Sequence, residues 1–292
     1  MALAQLESNQ FADAYQTAEQ ALNVSDQDRS PWATFVRVAF SANRFDKVIQ
    51  RLDRTFPNGA PEWTKAYRQD AEELQSLWDA EEKLRLAEAR ADDLPRVRLT
   101  IEHRRFGRDA GGKPLTMIEN SGREDVVLEL YENEAPNTVA NFLELVSKKF
   151  YDGTSFHLAL PATMVAGGDP NTKNSDPADD GLGGPGYVIR DECKAKSARQ
   201  HFRGSVSMVK TEADSAGSQF FFSLAPSPEL NGHFTVFGRV IEGQDAVDRI
   251  TPGRTTRDLG QYGKIIPGDL LVRAEVIRKR AHEYRVVKEQ RR

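Results

Sequence analysis

Asp92-Asp93-Leu94-Pro95 divides this chain into two regimes of hydrophobic spacing, and no one class of secondary structure serves both. Before the break, Leu3, Leu6, Phe11, Tyr15, Ala18 and Leu22 recur at helical intervals. Trp32, Phe35, Val36, Ala39 and Phe40 do the same after Ser30-Pro31, a helix start with proline in the first turn. This spacing predicts helices over 2–7, 10–23, 31–42 and 44–55. A longer helix is expected from about Pro61 to Ala91, with Trp63, Tyr67, Leu74, Leu77, Trp78, Leu84 and Leu86 as one apolar stripe. Beyond the break the period falls to two. Val97-Arg98-Leu99-Thr100-Ile101-Glu102 alternates as a strand does, and Val126-Val127-Leu128-Glu129-Leu130-Tyr131 reads as another, with a turn at Gly111-Gly112-Lys113-Pro114 between them. Arg96, Arg98, Arg104, Arg105 and Arg108 make the first strand basic, as the wet side of a strand can be without a function.

The helical half contains an echo. Asn9-Gln10-Phe11-Ala12-Asp13-Ala14 is matched 34 residues later by Asn43-Arg44-Phe45-Asp46-Lys47-Val48. That period resembles tetratricopeptide helix-turn-helix repeats, of which one and a half would be present. The chain thus divides into a helical, tetratricopeptide-like region at 1–93, a strand-rich domain at 96–278, and a basic tail at 279–292. From Arg278 to the last residue there are seven basic and two acidic residues.

Bulk properties narrow the classes. At 292 residues, with 39% hydrophobic and 29% charged, the chain has the balance of a soluble protein of about two domains. No apolar run reaches the length of a membrane span. A net charge of -4 gives no general attraction to nucleic acid. Cys193 is the single cysteine, so an intrachain disulfide and a multi-cysteine metal site are excluded. His103, His201, His233 and His282 show no metal-ligand spacing, and His157, beside Phe156, is expected to make a structural hydrogen bond. The acidic run Asp176–Asp180 reads as a solvated loop. The first residues lack the basic and apolar segments of a signal peptide, which fits either a cytoplasmic protein or an exported one whose leader is missing.

Gly217-Ser218-Gln219-Phe220-Phe221-Phe222-Ser223, followed by Leu230-Asn231-Gly232-His233-Phe234-Thr235-Val236-Phe237-Gly238, carries the sharpest signal. It resembles the signature of cyclophilins, the β-barrel peptidyl-prolyl cis-trans isomerases. Five further segments follow in that family's order. They are Ala135–Val146 as a first helix, Phe150–His157 as a turn into a strand, Gly167-Gly168-Asp169-Pro170, the glycine-rich Gly183–Tyr187, and Gly204–Met208. The resemblance implies an α+β multidomain chain, in which an eight-stranded antiparallel barrel follows the helical region. Two helices would cap it, one at 137–148 and one near 197–201 or 243–249.

Prolyl isomerisation breaks no bond between heavy atoms. Its barrier, about 18–20 kcal/mol, comes from amide resonance. Cyclophilins hold the proline ring in an apolar pocket while an arginine donates toward the prolyl nitrogen of the twisted amide. Carried over residue by residue, the arginine position is Leu158, the pocket phenylalanine is Thr163, and the first glutamine is Ala166. Met164, Gln219, Phe221 and Leu230 are retained, Val209 and Lys210 replace an alanine and an asparagine, Glu229 replaces a variable tryptophan, and Phe234 replaces a histidine. His157 and His233 adjoin this set, and Lys210 or Arg190 could serve as substitute donors. The resemblance thus implies an isomerase of feeble turnover, or a non-catalytic peptide-binding or scaffolding module. Either would take a proline-containing peptide or protein client, with a protein partner possible through the N-terminal helices. Rotation about an amide implies no metal and no organic cofactor.

Overall fold

The computed structural model describes residues 1–108, 114–174, 176, 178–251, 254–255, 265–266 and 268–290. The expected turn at Gly111-Gly112-Lys113 lies outside them. The chain forms two compact units. The first comprises Met1–Asp92 with Pro161–Thr163 and Leu224–Ser227, and the second holds the rest.

The first unit is helical: α1 (Ala2–Glu7), α2 (Phe11–Val24), α3 (Arg29–Ser41), α4 (Phe45–Thr55) and α5 (Lys65–Ala91). Phe11, Ala14, Tyr15, Ala18 and Leu22 form the buried stripe of α2, and Trp32 and Phe35 of α3 pack beside it. The echo has a structural counterpart. Asn9 and Asn43 both adopt φ 56°, the left-handed conformation that asparagine tolerates better than most residues. Around each, the same pair of bonds closes the preceding helix: Asn9 N to Leu6 O and Gln10 N to Gln5 O, then Asn43 N to Phe40 O and Arg44 N to Ala39 O. This is the Schellman cap, repeated. The expected stripe along α5 is only partly buried. Leu74, Leu77 and Trp78 are half-buried, whereas Leu84 and Leu86 are exposed. Leu86 stands two residues from Leu84, too far around the helix to share its face.

The second unit is a curled antiparallel sheet with helices. Its strands are β1 (Arg96–Arg108), β2 (Pro114–Leu130), β3 (Thr154–Ser155), β4 (Leu158–Leu160), β5 (Met164–Gly167), β6 (Ser205–Met208), β7 (Phe220–Ser223), β8 (Val236–Glu242), β9 (Arg254–Thr255), β10 (Ile265–Ile266) and β11 (Leu270–Arg278). Nine of them join in the order β3-β11-β1-β2-β8-β6-β7-β5-β4, while β9 and β10 pair separately. Eight strands were expected. The sheet has nine, with β3 and β4 separate: between them the Phe156 N–H donates to Asp269 O, whereas the His157 N–H donates to Ala166 O. Two α-helices accompany the sheet among the described residues, α6 (Pro136–Ser147) and α7 (Gln244–Asp248), and 197–201 holds none.

Phe142 of α6 is fully buried against Tyr151, Phe220 and Phe237, with ring centroids 5.2, 5.6 and 5.1 Å away. Opposite the start of α6, Glu192 accepts from the N–H groups of Asn137 and Thr138, an anion placed on the helix N-terminus. The segment after β11 is not free. Glu132 accepts from the Tyr284 hydroxyl at 2.8 Å, and Glu289 pairs antiparallel with Val188.

Candidate functional site

Register alone assembles one face. Leu158 lies opposite Ala166, Ala166 opposite Phe221, and Phe221 opposite Ser207, a row across four strands. Leu160, Met164 and Ser223 form the next row. Directly opposed residues project to the same side, and so does Gln219, two residues from Phe221. The face therefore gathers Leu158, Met164, Ala166, Gln219 and Phe221. Leu158 and Phe156, although two apart, serve different sides. Phe156 is 1% exposed and fills the space over Gly167, where a Cβ would lie 2.8 Å from its ring, while Leu158 is 38% exposed. The interruption at 156–157 produces that change of side.

Phe221 stands between two rings. His201 lies parallel to it, 4° between planes and 5.8 Å between centroids, and Phe234 meets it edge-on at 5.8 Å. Burial pushes the His201 imidazole down to about 4, against the opposing hydrogen bond to Asn231. Its Nδ1 lies 2.9 Å from the amide oxygen Asn231 Oδ1, which makes Nδ1 the protonated nitrogen and Nε2 the acceptor. Nε2 is buried with no hydrogen-bond partner among the described residues. Sequence reasoning did not place His201 here, because a single histidine before Phe202-Arg203-Gly204 has no periodic partner to mark it.

A pH dependence follows. The folded ring resists protonation until about pH 4, whereas an ordinary imidazole takes its proton near 6.5. Between those values the unfolded chain binds more protons, so stability is complete above 6.5 and declines as pH falls toward 4. The loss is about 3 kcal/mol at most. Urea unfolding at pH 7 and pH 4.5 is expected to show a smaller loss of stability on acidification in His201→Gln than in the parent.

Gln219 is committed to its own chain. Its Nε2 donates to Gly181 O at 2.9 Å and Gly183 O at 2.8 Å, which uses both amide hydrogens and leaves Oε1 as the remaining polar atom. Asp169, fully buried, holds the same loop by accepting from the N–H groups of Asn171, Gly181 and Gly183. Asp169→Ala would leave these donors without their partner, at about 1–3 kcal/mol for each buried one. The expected result is faster amide exchange through 169–183 with the β1–β2 ladder unaffected.

Beside Gln219 opens a cleft of about 320 Å³, walled by Pro185, Tyr187 and Val188 on one side and by Val209, Lys210 and Ser215 on the other. Asn141 of α6 fixes its floor and one wall, donating to Gly217 O and accepting from the Tyr187 hydroxyl, both at 2.8 Å.

The other sequence candidates fall as follows. Leu230 and Phe234 are half-buried, and Glu229 and His233 are exposed. Lys210 is ion-paired with Asp191, and Arg190 with Glu289, so each cation expected as a substitute donor is already engaged. His157 lies beside Gly181, whose added Cβ would sit 3.6 Å from its ring. Its backbone N–H donates to Ala166 O, its Nδ1 is buried and unpartnered among the described residues, and burial lowers its pKa while Asp169 opposes the shift. Thr163 groups with the helical unit. Among the described residues no cluster of His, Cys, Asp or Glu is arranged to hold a metal ion, and no helix is long and apolar enough to cross a membrane.

The curled antiparallel sheet with its helices is consistent with a cyclophilin fold. Residues 115–267 match the family described as cyclophilin type peptidyl-prolyl cis-trans isomerase/CLD, and the chain belongs to that family. It is 38% identical over 138 residues to peptidyl-prolyl cis-trans isomerase B of Bacillus subtilis, covering 47% of this chain and 91% of that one. It is 37% identical over 140 residues to a peptidyl-prolyl cis-trans isomerase of Helicobacter pylori, covering 47% and 80%. With peptidyl-prolyl cis-trans isomerase-like 2 of Cryptococcus neoformans it shares 40% over 165 residues, 53% of this chain but 27% of that one. A crystal structure of a cyclophilin type isomerase from Cryptosporidium parvum superimposes with a TM-score of 0.45 at 24% identity, covering 63% of this chain and 97% of the other.

Proposed function

We propose that this protein binds proline-containing peptides on the face formed by Leu158, Met164, Ala166, Gln219 and Phe221, and turns them over weakly or not at all. The observation that carries this reading is the cross-strand row. Phe221, 3% exposed between two rings, would back an apolar wall that half-buried Met164 and Phe234 present to a proline ring, and Leu158, at the arginine position, has no hydrogen to donate. Peptide would be held by the wall and by Gln219 Oε1, while the twisted amide receives no charge-assisted bond. Leu230, Phe234 and Val209 would border the site, with His157 beside it. The absent donor and the engagement of Lys210 and Arg190 favour a peptide-binding or scaffolding role over catalysis.

We also read Thr154–Leu160 as a single strand that closes an eight-stranded barrel, and the repeated caps at Asn9 and Asn43 as one and a half helical repeats. The domains would then be 1–93 and 96–278, followed by a basic tail at 279–292. The helical region would offer a surface to a protein partner.

Calorimetric titration tests the site. A peptide containing Ala-Pro is expected to bind the parent, and the same peptide with alanine for proline is not. Phe221→Leu, which keeps the apolar volume but removes the flat ring behind that wall, is expected to weaken binding about tenfold. Equal binding of the two peptides would refute the reading.

A further inference from the structure

The wall Gly181–Val188 contains Gly181, Gly183, Gly184 and Gly186, with φ +85° at both Gly181 and Gly186. A segment so rich in glycine has little conformational preference of its own, so contacts from outside must set its shape. Gln219 supplies them from within the cleft. The outer side is held by a strap, Val287–Glu289.

We propose that this strap is a specificity-determining element of the groove: by fixing Tyr187 and Val188, it sets which side chain next to the proline the cleft accepts. The inference rests on the peptide-binding reading above. Glu289 exchanges both backbone hydrogen bonds with Val188, at 2.8 and 2.9 Å. The Lys288 ammonium stands 4.5 Å over the ring of Tyr187, whose hydroxyl is held by Asn141. On its other side the strap is anchored to α6. Asn137 meets both backbone groups of Val287, accepting from its N–H at 2.8 Å and donating to its carbonyl at 3.1 Å, and Lys288 pairs with Glu144 at 2.7 Å. The strap thus joins a rigid helix to a wall that cannot hold itself. Tyr187 and Val188 both line the cleft, and the cleft shares Gln219 and Val209 with the proposed groove. A peptide whose proline lies against the apolar wall backed by Phe221 would place an adjacent side chain there. Neither Lys288 nor Glu289 lines the cleft, so they are positioning residues.

The test compares the parent with Lys288→Ala/Glu289→Pro, which removes the cation over Tyr187 and the N–H that Val188 O accepts. Fluorescein-labelled peptides carry Ala, Leu or Phe on one side or the other of a single proline, and affinities come from anisotropy. The expected result is a change of about tenfold in the ratio of affinities between the Ala and Phe peptides at one of the two positions. Affinity for the all-alanine peptide should change no more than about twofold. A uniform loss across the series would mark the strap as merely structural and overturn the proposal, as would an unchanged order of preference. If the parent binds none of the peptides, the peptide-binding reading fails. Amide exchange then decides the positioning role: about tenfold faster exchange at Val188 and Ile189, with the β6–β7 pairing unchanged, supports it, and unaltered exchange there overturns it.

Discussion

Leu158→Arg is expected to raise prolyl isomerisation about 10- to 150-fold over the parent in a protease-coupled assay, the equivalent of one charge-assisted hydrogen bond of about 1.5–3 kcal/mol made in the transition state. Geometry favours the gain. Position 158 lies in the same row as Ala166 and Phe221, and its side chain is already 38% exposed, so a guanidinium can remain solvated until substrate arrives. Rotation about an amide needs no nucleophile, so no other group has to be installed in concert. Ala166→Gln is the costlier companion, because Ala166 is 2% exposed and added atoms there cost about 1–3 kcal/mol of packing. The single substitution is therefore the cleaner experiment. A parent already far above the uncatalysed rate would show that another donor replaces the arginine, and the account of an emptied site would be wrong.

Phe142→Ala is expected to remove about 3–5 kcal/mol of stability, the range for truncating a buried aromatic. The ring has no exposed surface and contacts Tyr151, Phe220 and Phe237, so its removal opens a cavity between α6 and the sheet. The effect should reach the site as well. α6 also carries Asn141, which holds Gly217 and Tyr187, so loosening the helix loosens floor and wall together. Thermal unfolding should show a fall of about 2–4 °C for each kcal/mol lost in a domain of this size. A shift of only a degree or two would mean that the aromatic cluster repacks around the gap.

Local pattern carried much of this fold. The apolar period placed α1 to α5 within a few residues, whereas α6 was expected from the family resemblance of Ala135–Val146. Alternation puts Met164 and Ala166 on one side of β5 and Gln219 and Phe221 on one side of β7, but only the pairing of Ala166 with Phe221 brings those sides together. What the sequence concealed is long-range. The change of side between Phe156 and Leu158 depends on two different neighbouring strands competing for one segment. His201 reaches Phe221 from another loop, and Lys210 and Arg190 find carboxylates at Asp191 and Glu289 that no spacing rule connects to them. The strap at Val287–Glu289 reads in sequence as basic tail. Only its pairing with Val188 and Asn137 reveals it as part of the cleft.

A proline-containing peptide is expected to occupy this face although Leu158 stands at the arginine position. Nuclear magnetic resonance mapping with the unmodified protein tests it most directly. Titrating an Ala-Pro peptide should shift the amides and methyl groups of Leu158, Met164, Ala166 and Gln219 and the ring of Phe221. Exchange spectra should meanwhile show cis and trans peptide interconverting no faster than in buffer. Saturable shifts confined to another surface, or none at all, would contradict the account.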